Sequence, residues 1–360
     1  MKWLGGNRVP GGASNDPVMR ALPVVSGGTL RNGSPQVRPP ERNGMSTSRD
    51  PGVPAPKSVV VTGANSGIGL ATALELAAAG YGVFGTVRDE AKAARLRDAA
   101  GEAGTTLTAV VCDVGEARSC ERGLADIAEQ TGGGPWAVVN NAGYAQGGAV
   151  EDVTDELARA QLEVNLIAPA RVARLVLPAM RERGDGVIVN VSSVMGRATT
   201  PLLGWYCASK HGLEALSNAL RVEVAQFGVR VVLIEPGAFG TDIWAGGRDR
   251  LPRPHSSAYA DAYRRSDAIT AGAEHSPDPV WVARTIRVAL ANPVPLARYL
   301  VGVDAAAFTA TERLVPTLVT DYMKSLASGL RRSLVPGLPL PAVPRPSWPQ
   351  LPPLPRPFRR

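Results

Sequence analysis

Ser58-Val59-Val60-Val61-Thr62-Gly63-Ala64-Asn65-Ser66-Gly67-Ile68-Gly69 is the stretch on which the fold turns. A β-branched run passes directly into a glycine turn, and an Ala/Leu-rich segment with helical spacing follows from Leu70 to Ala79, closed by Gly80. Strand, glycine turn and helix in that order make a cradle for phosphate. Glycine permits a tight turn and close approach of a pyrophosphate to backbone N–H groups, and the helix N-terminus adds positive partial charge. The spacing is GxxxGxG, not GxGxxG, and glycine turns also serve ordinary strand-to-helix connections. Alone, the pattern marks a candidate dinucleotide site.

Outward from this stretch, short apolar runs recur at Gly82-Val83-Phe84, Leu107 to Val111, Ala137-Val138-Val139, Val187-Ile188-Val189, Val229 to Ile234 and Tyr299-Leu300-Val301. Each is continuously apolar, as strands buried on both faces are, and helical Ala/Leu/Glu/Arg-rich segments separate them. The expected fold is therefore α/β: a single-domain, Rossmann-type, doubly wound seven-stranded parallel sheet with helices on both faces, spanning residues 57–335. No internal repeat is visible, and no apolar run approaches the ~18 residues that a spanning helix needs.

The chain has 360 residues, 44% of them hydrophobic and 20% charged, with a formal charge of +7. Read whole, that charge suggests a nucleic-acid partner; read by segment, it does not. Residues 1–56 carry seven Lys/Arg against three Asp/Glu, and residues 336–360 carry four Arg and no acid. The middle is left with 28 basic and 29 acidic side chains, so no nucleic-acid partner is expected of it. Residues 1–56 also hold nine Pro and nine Gly, and residues 336–360 ten Pro. Both segments are expected to be disordered, because neither can bury enough apolar surface to offset the cost of ordering it. Met45 offers an alternative start. The C-terminal segment suits a PxxP-reading partner or a solvated tail. Three cysteines without CxxC spacing argue against a disulfide framework or a metal site and fit a reducing, cytoplasmic setting.

The second strand leads to Val87-Arg88 with no acid at its end. An acid there would bind the ribose 2′-OH of NAD, whereas a guanidinium suits a 2′-phosphate, so NADP(H) is favoured over NAD(H). The bland reading of Arg88 is a loop cation beside Asp89, the N-cap of the next helix. Asp113, followed by Val114, is placed after the third strand either to accept from an adenine amino group or to cap the helix that follows.

Asn140-Asn141-Ala142-Gly143 follows the fourth strand, Ser192-Ser193 the fifth and Pro236-Gly237, with Thr241 beyond, the sixth. Tyr206-Cys207-Ala208-Ser209-Lys210 lies between the last two. Ligands of open α/β sheets bind at such strand ends. Reducing a ketone requires a proton donor, and Tyr, with an unperturbed pKa near 10, is a weak one. Lys210, four residues on, shares a helical face with Tyr206 and is expected to depress that pKa. Ser193 would position the carbonyl oxygen. Taken singly, Tyr206/Lys210 could be a packed ring with a snorkelling amine, Ser192-Ser193 a helix cap and Asn165 an incidental amide.

Together TGxxxGIG, NNAG, a Ser thirteen residues before YxASK, and PGxxxT occur in the order in which they stand in the short-chain dehydrogenase/reductase family, and residues 57–302 resemble its single-domain branch. The resemblance implies a catalytic tetrad of Asn165, Ser193, Tyr206 and Lys210, with Asn165 holding a helix kink and a proton-relaying water. It implies that Gly63, Asn65, Ser66, Gly67, Ile68 and Gly69 cradle the cofactor. Arg88, Asp113, Val114, Asn141, Ala142, Gly143, Pro236 and Gly237 line the rest of that site, with Tyr206 and Lys210 touching the nicotinamide ribose and Thr241 its carboxamide. The implied activity interconverts a small-molecule ketone or aldehyde and an alcohol. Substrate choice is placed in residues 238–279, where Trp244, Tyr259 and Tyr263 suit a lipophilic, steroid- or retinoid-like molecule, with five Arg nearby. Asp278 and Pro279 read as N-cap and first residue of a helix that ends this lid. Leu157 to Met180 and Leu213 to Phe227 are the expected faces of a homodimer or homotetramer. Two other readings stay open: an NADP-binding redox regulator with an idle site, and a scaffold acting through its tails.

Overall fold

The computed structural model describes residues 56–240, 243, 257–271 and 277–330. The expectations for the N-terminal leader, for Thr241 and Trp244, and for the Pro/Arg tail fall outside them.

Seven strands form one parallel sheet: β1 (Ser58–Thr62), β2 (Gly82–Val87), β3 (Thr108–Val111), β4 (Ala137–Asn140), β5 (Gly186–Val191), β6 (Val229–Pro236) and β7 (Arg298–Val301), in the order β3-β2-β1-β4-β5-β6-β7. The helices are α1 (Gly67–Ala78), α2 (Glu90–Glu102), α3 (Ala117–Thr131), α4 (Asp155–Leu162), α5 (Ala168–Arg183), α6 (Gly204–Ala225), α7 (Ala260–Ala271), α8 (Val280–Ala291), α9 (Val303–Leu314) and α10 (Thr317–Ser328). The doubly wound sheet expected from the apolar runs is the sheet observed.

Two apolar layers enclose that sheet, and successive strand residues enter them alternately. Val59 and Val61 of β1 pack on one side with Leu76 of α1, Leu96 of α2 and Ile286 of α8. Val60 packs on the other with Ile127 of α3 and Val172, Val176 and Met180 of α5. Pleating sends neighbouring side chains to opposite faces, so a strand covered on both must be apolar at every position. That is why these strands read as unbroken runs.

The strands outrun those apolar runs. β1, β4 and β6 end in Thr62, Asn140 and Pro236, polar or donor-lacking residues that the sheet still accommodates. Helix α1 starts at Gly67, three residues before the apolar segment, so the glycine turn is also the first helical turn. Pro279 stands just outside α8; Asp278 caps from one position further back, accepting the Val280 N–H at 2.8 Å. The residues after β7 form two helices, broken at Val315-Pro316.

Strand order reverses between β1 and β4. Chains leaving these neighbouring strands wind to opposite sides and leave a crevice at their C-terminal ends, the place where such sheets bind ligands.

Candidate active site

Thr62, the last residue of β1, spans the crevice. Its hydroxyl accepts from the N–H groups of Asn141 and Ala142, both at 3.0 Å, and Nδ2 of Asn141 donates to the Thr62 carbonyl at 2.9 Å and the Gly63 carbonyl at 3.3 Å. Gly63 has φ +65° and Gly67 φ +52°, the left-handed region that glycine enters at no steric cost. A Cβ on Gly69 would overlap the Gly63 carbonyl oxygen and Nδ2 of Asn141. Gly69→Ala is accordingly expected to push the turn open, costing about 2 kcal/mol or more of stability and with it nucleotide affinity. A thermal melt and a nucleotide titration check this; an unchanged melt would refute the tight packing at Gly69.

A cleft of about 550 Å³ runs from this turn past Arg88, Asp113 and Val114 to Asn141, Ala142 and Gly143. Gly63, Asn65, Ser66, Gly67, Ile68 and Gly69, the six that the resemblance assigns to a cofactor cradle, line it. The glycine cradle and the cleft's size suit a dinucleotide. Arg88 is exposed at its edge and makes no ion pair with another described residue, while Asp89 beside it caps α2 by accepting the Lys92 N–H at 2.9 Å. Asp113 does not cap α3. Its Oδ1 accepts the Gly115 N–H at 2.9 Å, shaping the turn that forms the cleft wall.

Tyr206, Lys210, Pro236 and Gly237 are not part of that wall; the first two lie on α6 and the last two at the end of β6. Ser193 caps the single turn Val194–Gly196, accepting the Met195 N–H at 3.1 Å, and also hydrogen-bonds the Tyr206 hydroxyl. Cap and candidate catalytic group are thus one residue. Nζ of Lys210 donates to the Val191 carbonyl at 2.8 Å and lies 5.9 Å from the centre of the Tyr206 ring. Tyr206, Lys210 and Ser193 are all buried.

This burial overturns one expectation. The Tyr206 phenol does not fall below its ordinary value: desolvation pushes it up to about 12, and the Ser193 hydrogen bond only partly opposes the rise. The ammonium is engaged by the Val191 carbonyl, and burial pushes Lys210 itself down to about 8. As the chain stands, Tyr206 holds its proton at neutral pH.

Asn165 sits inside a five-residue π turn, Glu163–Ile167, between α4 and α5. The helix irregularity anticipated at this residue is therefore a π turn, a feature frequent at functional sites. Its amide is doubly tied to the Tyr144 backbone, accepting from N–H at 3.2 Å and donating to C=O at 3.0 Å. It also donates to the Ser209 hydroxyl at 3.2 Å, and that hydroxyl donates to the Tyr206 carbonyl at 2.7 Å. Asn165 thus links the loop after β4 to the helix carrying Tyr206.

Other residues support the site without having stood out in the sequence. Arg171 on α5 donates to the Val114 carbonyl at 2.8 Å and pairs with Glu163. Asp304 at the start of α9 accepts the Ala238 N–H at 2.6 Å, and a Cβ on Gly237 would run into its carboxylate. Asp152, after β4, accepts from the hydroxyls of Tyr263 and Ser257 at 2.5 and 2.6 Å, while Tyr263 accepts the Ala149 N–H at 2.8 Å, so α7 is fastened over that loop. None has a motif, and each acts across a long stretch of chain.

Residues 57–251 match the family model described as short chain dehydrogenase. The chain is 32% identical to the NADPH-dependent 3-dehydrocapnine reductase of Ornithobacterium rhinotracheale, over 73% of this chain and 94% of that protein. It is likewise 32% identical to human 17-beta-hydroxysteroid dehydrogenase type 6, over 74% and 87% of the two chains. Among solved structures, a short chain dehydrogenase/reductase from Burkholderia phymatum in complex with NAD aligns with TM-score 0.64 at 25% identity, covering 79% of this chain and 98% of that one.

Proposed function

The chain belongs to the short-chain dehydrogenase family of oxidoreductases, and from that premise we propose that it reduces a ketone or aldehyde to an alcohol with NADPH. The observation that carries this reading is the burial of Ser193, Tyr206 and Lys210 together beyond the end of β5, with Ser193 bonded to the tyrosine hydroxyl.

The glycine turn would hold the pyrophosphate, Asp113-Val114 the adenine and Asn141 to Gly143 the floor beneath the ribose. When bound, the nicotinamide supplies a hydride to the carbonyl carbon. Ser193 orients the carbonyl oxygen by a hydrogen bond, and Tyr206 donates its hydroxyl proton to that oxygen as charge develops. Lys210, within 6 Å of the ring centre, stabilises the phenolate left behind. At neutral pH the phenol is in the protonated form that reduction requires of it. Asn165 keeps the Tyr144 loop and α6 in register.

Arg88 supports NADPH over NADH: an exposed guanidinium without an ion-pair partner among the described residues can meet a 2′-phosphate bidentately. Arg88→Ala is expected to raise KM for NADPH on the order of tenfold or more, the worth of one charge-assisted contact, while KM for NADH stays put. Equal changes for both would remove Arg88 from the 2′-phosphate site.

A lipophilic, steroid- or retinoid-like substrate is supported by the human relative. The assembly fitting this reading is a homodimer or homotetramer through α5 and α6, whose outer faces form an apolar groove including Leu177, Leu216 and Leu220. A turnover screen with NADPH and NADH over aliphatic, steroidal and quinone carbonyls tests the function. Nucleotide binding without turnover on any of them would favour a regulator.

A further inference from the structure

Glu214 lies one helical turn past Lys210 on α6, and its carboxylate belongs to a buried ionic chain. Oε2 of Glu214 lies 3.2 Å from Nε of Arg298, the first residue of β7. The same Nε is 3.0 Å from Oε1 of Glu235 on β6, whose Oε2 is 3.5 Å from Nη1 of Arg197. The acids form the interior of this chain, with side-chain exposures of 8% for Glu214 and 1% for Glu235, against 33% for Arg298 and 27% for Arg197. Each member adjoins the site. Arg197 follows the turn capped by Ser193, Glu235 precedes Pro236-Gly237, and β7 leads to Asp304.

Two carboxylates buried side by side are unfavourable even when cations answer them, and apolar residues of similar volume would hold the fold as well or better. Stability alone is a poor account of the arrangement. Oε1 of Glu214 is buried with no hydrogen-bond partner among the described residues, so part of its charge is unspent. Its stem packs against Gly196, where a Cβ would fall 3.0 Å from Glu214 Cγ and 3.2 Å from the Lys210 carbonyl oxygen. Burial lowers the Lys210 ammonium, and the charge of Glu214 works against that effect.

We propose that Glu214 is a positioning residue for Lys210, keeping the buried ammonium charged and seated on the Val191 carbonyl, and that Arg298 and Glu235 hold Glu214 in place. The inference rests on Lys210 being the partner of Tyr206 only where activity is read. Among the described residues, the other charged and titratable groups around this part of α6 are Tyr206, Cys207 and Arg221 on the helix, Arg197 after the Ser193 turn, Glu235 on β6 and Arg298 on β7, with Glu312 of α9 and Lys324 of α10 acting on Cys207. His211 is turned away, its ring bonded to the Cys207 carbonyl.

The chain contains five lysines, Lys2, Lys57, Lys92, Lys210 and Lys324, so lysine-labelled carbon NMR of the full chain can follow Lys210, assigned by its loss in Lys210→Met. In Glu214→Gln the Lys210 midpoint is expected to move down by about one pH unit, the effect of removing a nearby opposite charge. Arg298→Met should produce a downward shift through the loosened Glu214. An unmoved midpoint in both variants overturns the proposal, as does a lowered melting temperature with the midpoint unchanged. Should Glu214→Gln not fold, Arg298→Met and Glu214→Asp, which retracts the carboxylate, carry the same test. The pH profile of NADPH-dependent turnover, read beside the NMR, separates the two ideas. A shifted midpoint with an unshifted profile leaves Glu214 as the positioning residue and removes Lys210 from the chemistry.

Discussion

Tyr206→Phe is expected to lower NADPH-dependent carbonyl turnover by on the order of 10³-fold, within the usual range for a general acid, while leaving the fold and the affinity for NADPH unchanged. Tyr206 is 3% exposed, and Phe fills the same volume, so the ring's packing survives. What disappears is the hydroxyl proton and its hydrogen bond with Ser193. Because the nucleotide cleft is walled by other residues, cofactor titration should look wild-type. Comparable turnover in the variant would remove Tyr206 from the proton-donating role. The pH dependence follows from the raised phenol. With its folded value pushed up to about 12 from 10, the group stays protonated across the neutral range, so the loss should not be rescued by acid. For the same reason the stability carried by the protonated phenol is complete below about pH 10 and declines as pH rises through the folded value.

Lys210→Met should separate activity from stability in opposite directions. Turnover falls on the order of 10²-fold or more, because the charge supporting the phenolate is gone. The protein, however, becomes more stable at neutral pH. Burial pushes Lys210 to about 8 from 10.5, so below pH 8 the folded chain carries an ammonium that would rather be in water. The unfolded chain binds more protons between pH 8 and 10.5, and stability therefore rises with pH across that window and is flat below it. Removing the amine relieves a cost of roughly 3 kcal/mol at pH 7, offset in part by the lost bond to the Val191 carbonyl. Denaturant melts at pH 7 and pH 10 check this: the variant should gain most at pH 7, and a loss there would show that the ammonium is a net support of the fold.

Much of the sheet was legible because burial on both faces leaves no room for polar alternation, as in Val59, Val60 and Val61, which feed two different layers. Strand ends were less legible. Thr62 and Asn140 belong to strands by pairing with neighbours, and nothing in their chemistry announces it. The glycines of the cradle read as a turn although they also open α1. At the candidate site, residue types and spacing singled out Ser193, Tyr206 and Lys210, and the family resemblance added Asn165. They could not give the dielectric around them, and so the sign of the Tyr206 shift was misread. Arg171, Asp304 and the Glu214–Arg298–Glu235 chain were silent for another reason. They are ordinary charged residues with partners far along the chain, Arg171 with Val114 57 positions away, Asp304 with Ala238 66 and Arg298 with Glu214 84.

The last strand has a consequence for anyone shortening the chain. The family match stops at residue 251, yet β7 and Asp304 lie beyond it. A fragment cut at that boundary keeps every motif, loses the Arg298 guanidinium that joins Glu214 to Glu235, and loses Val282, Ile286 and Leu290 of α8 from one apolar layer of the sheet. Insolubility of such a fragment would report a sheet left partly uncovered on one face, and would say nothing against the enzyme it came from.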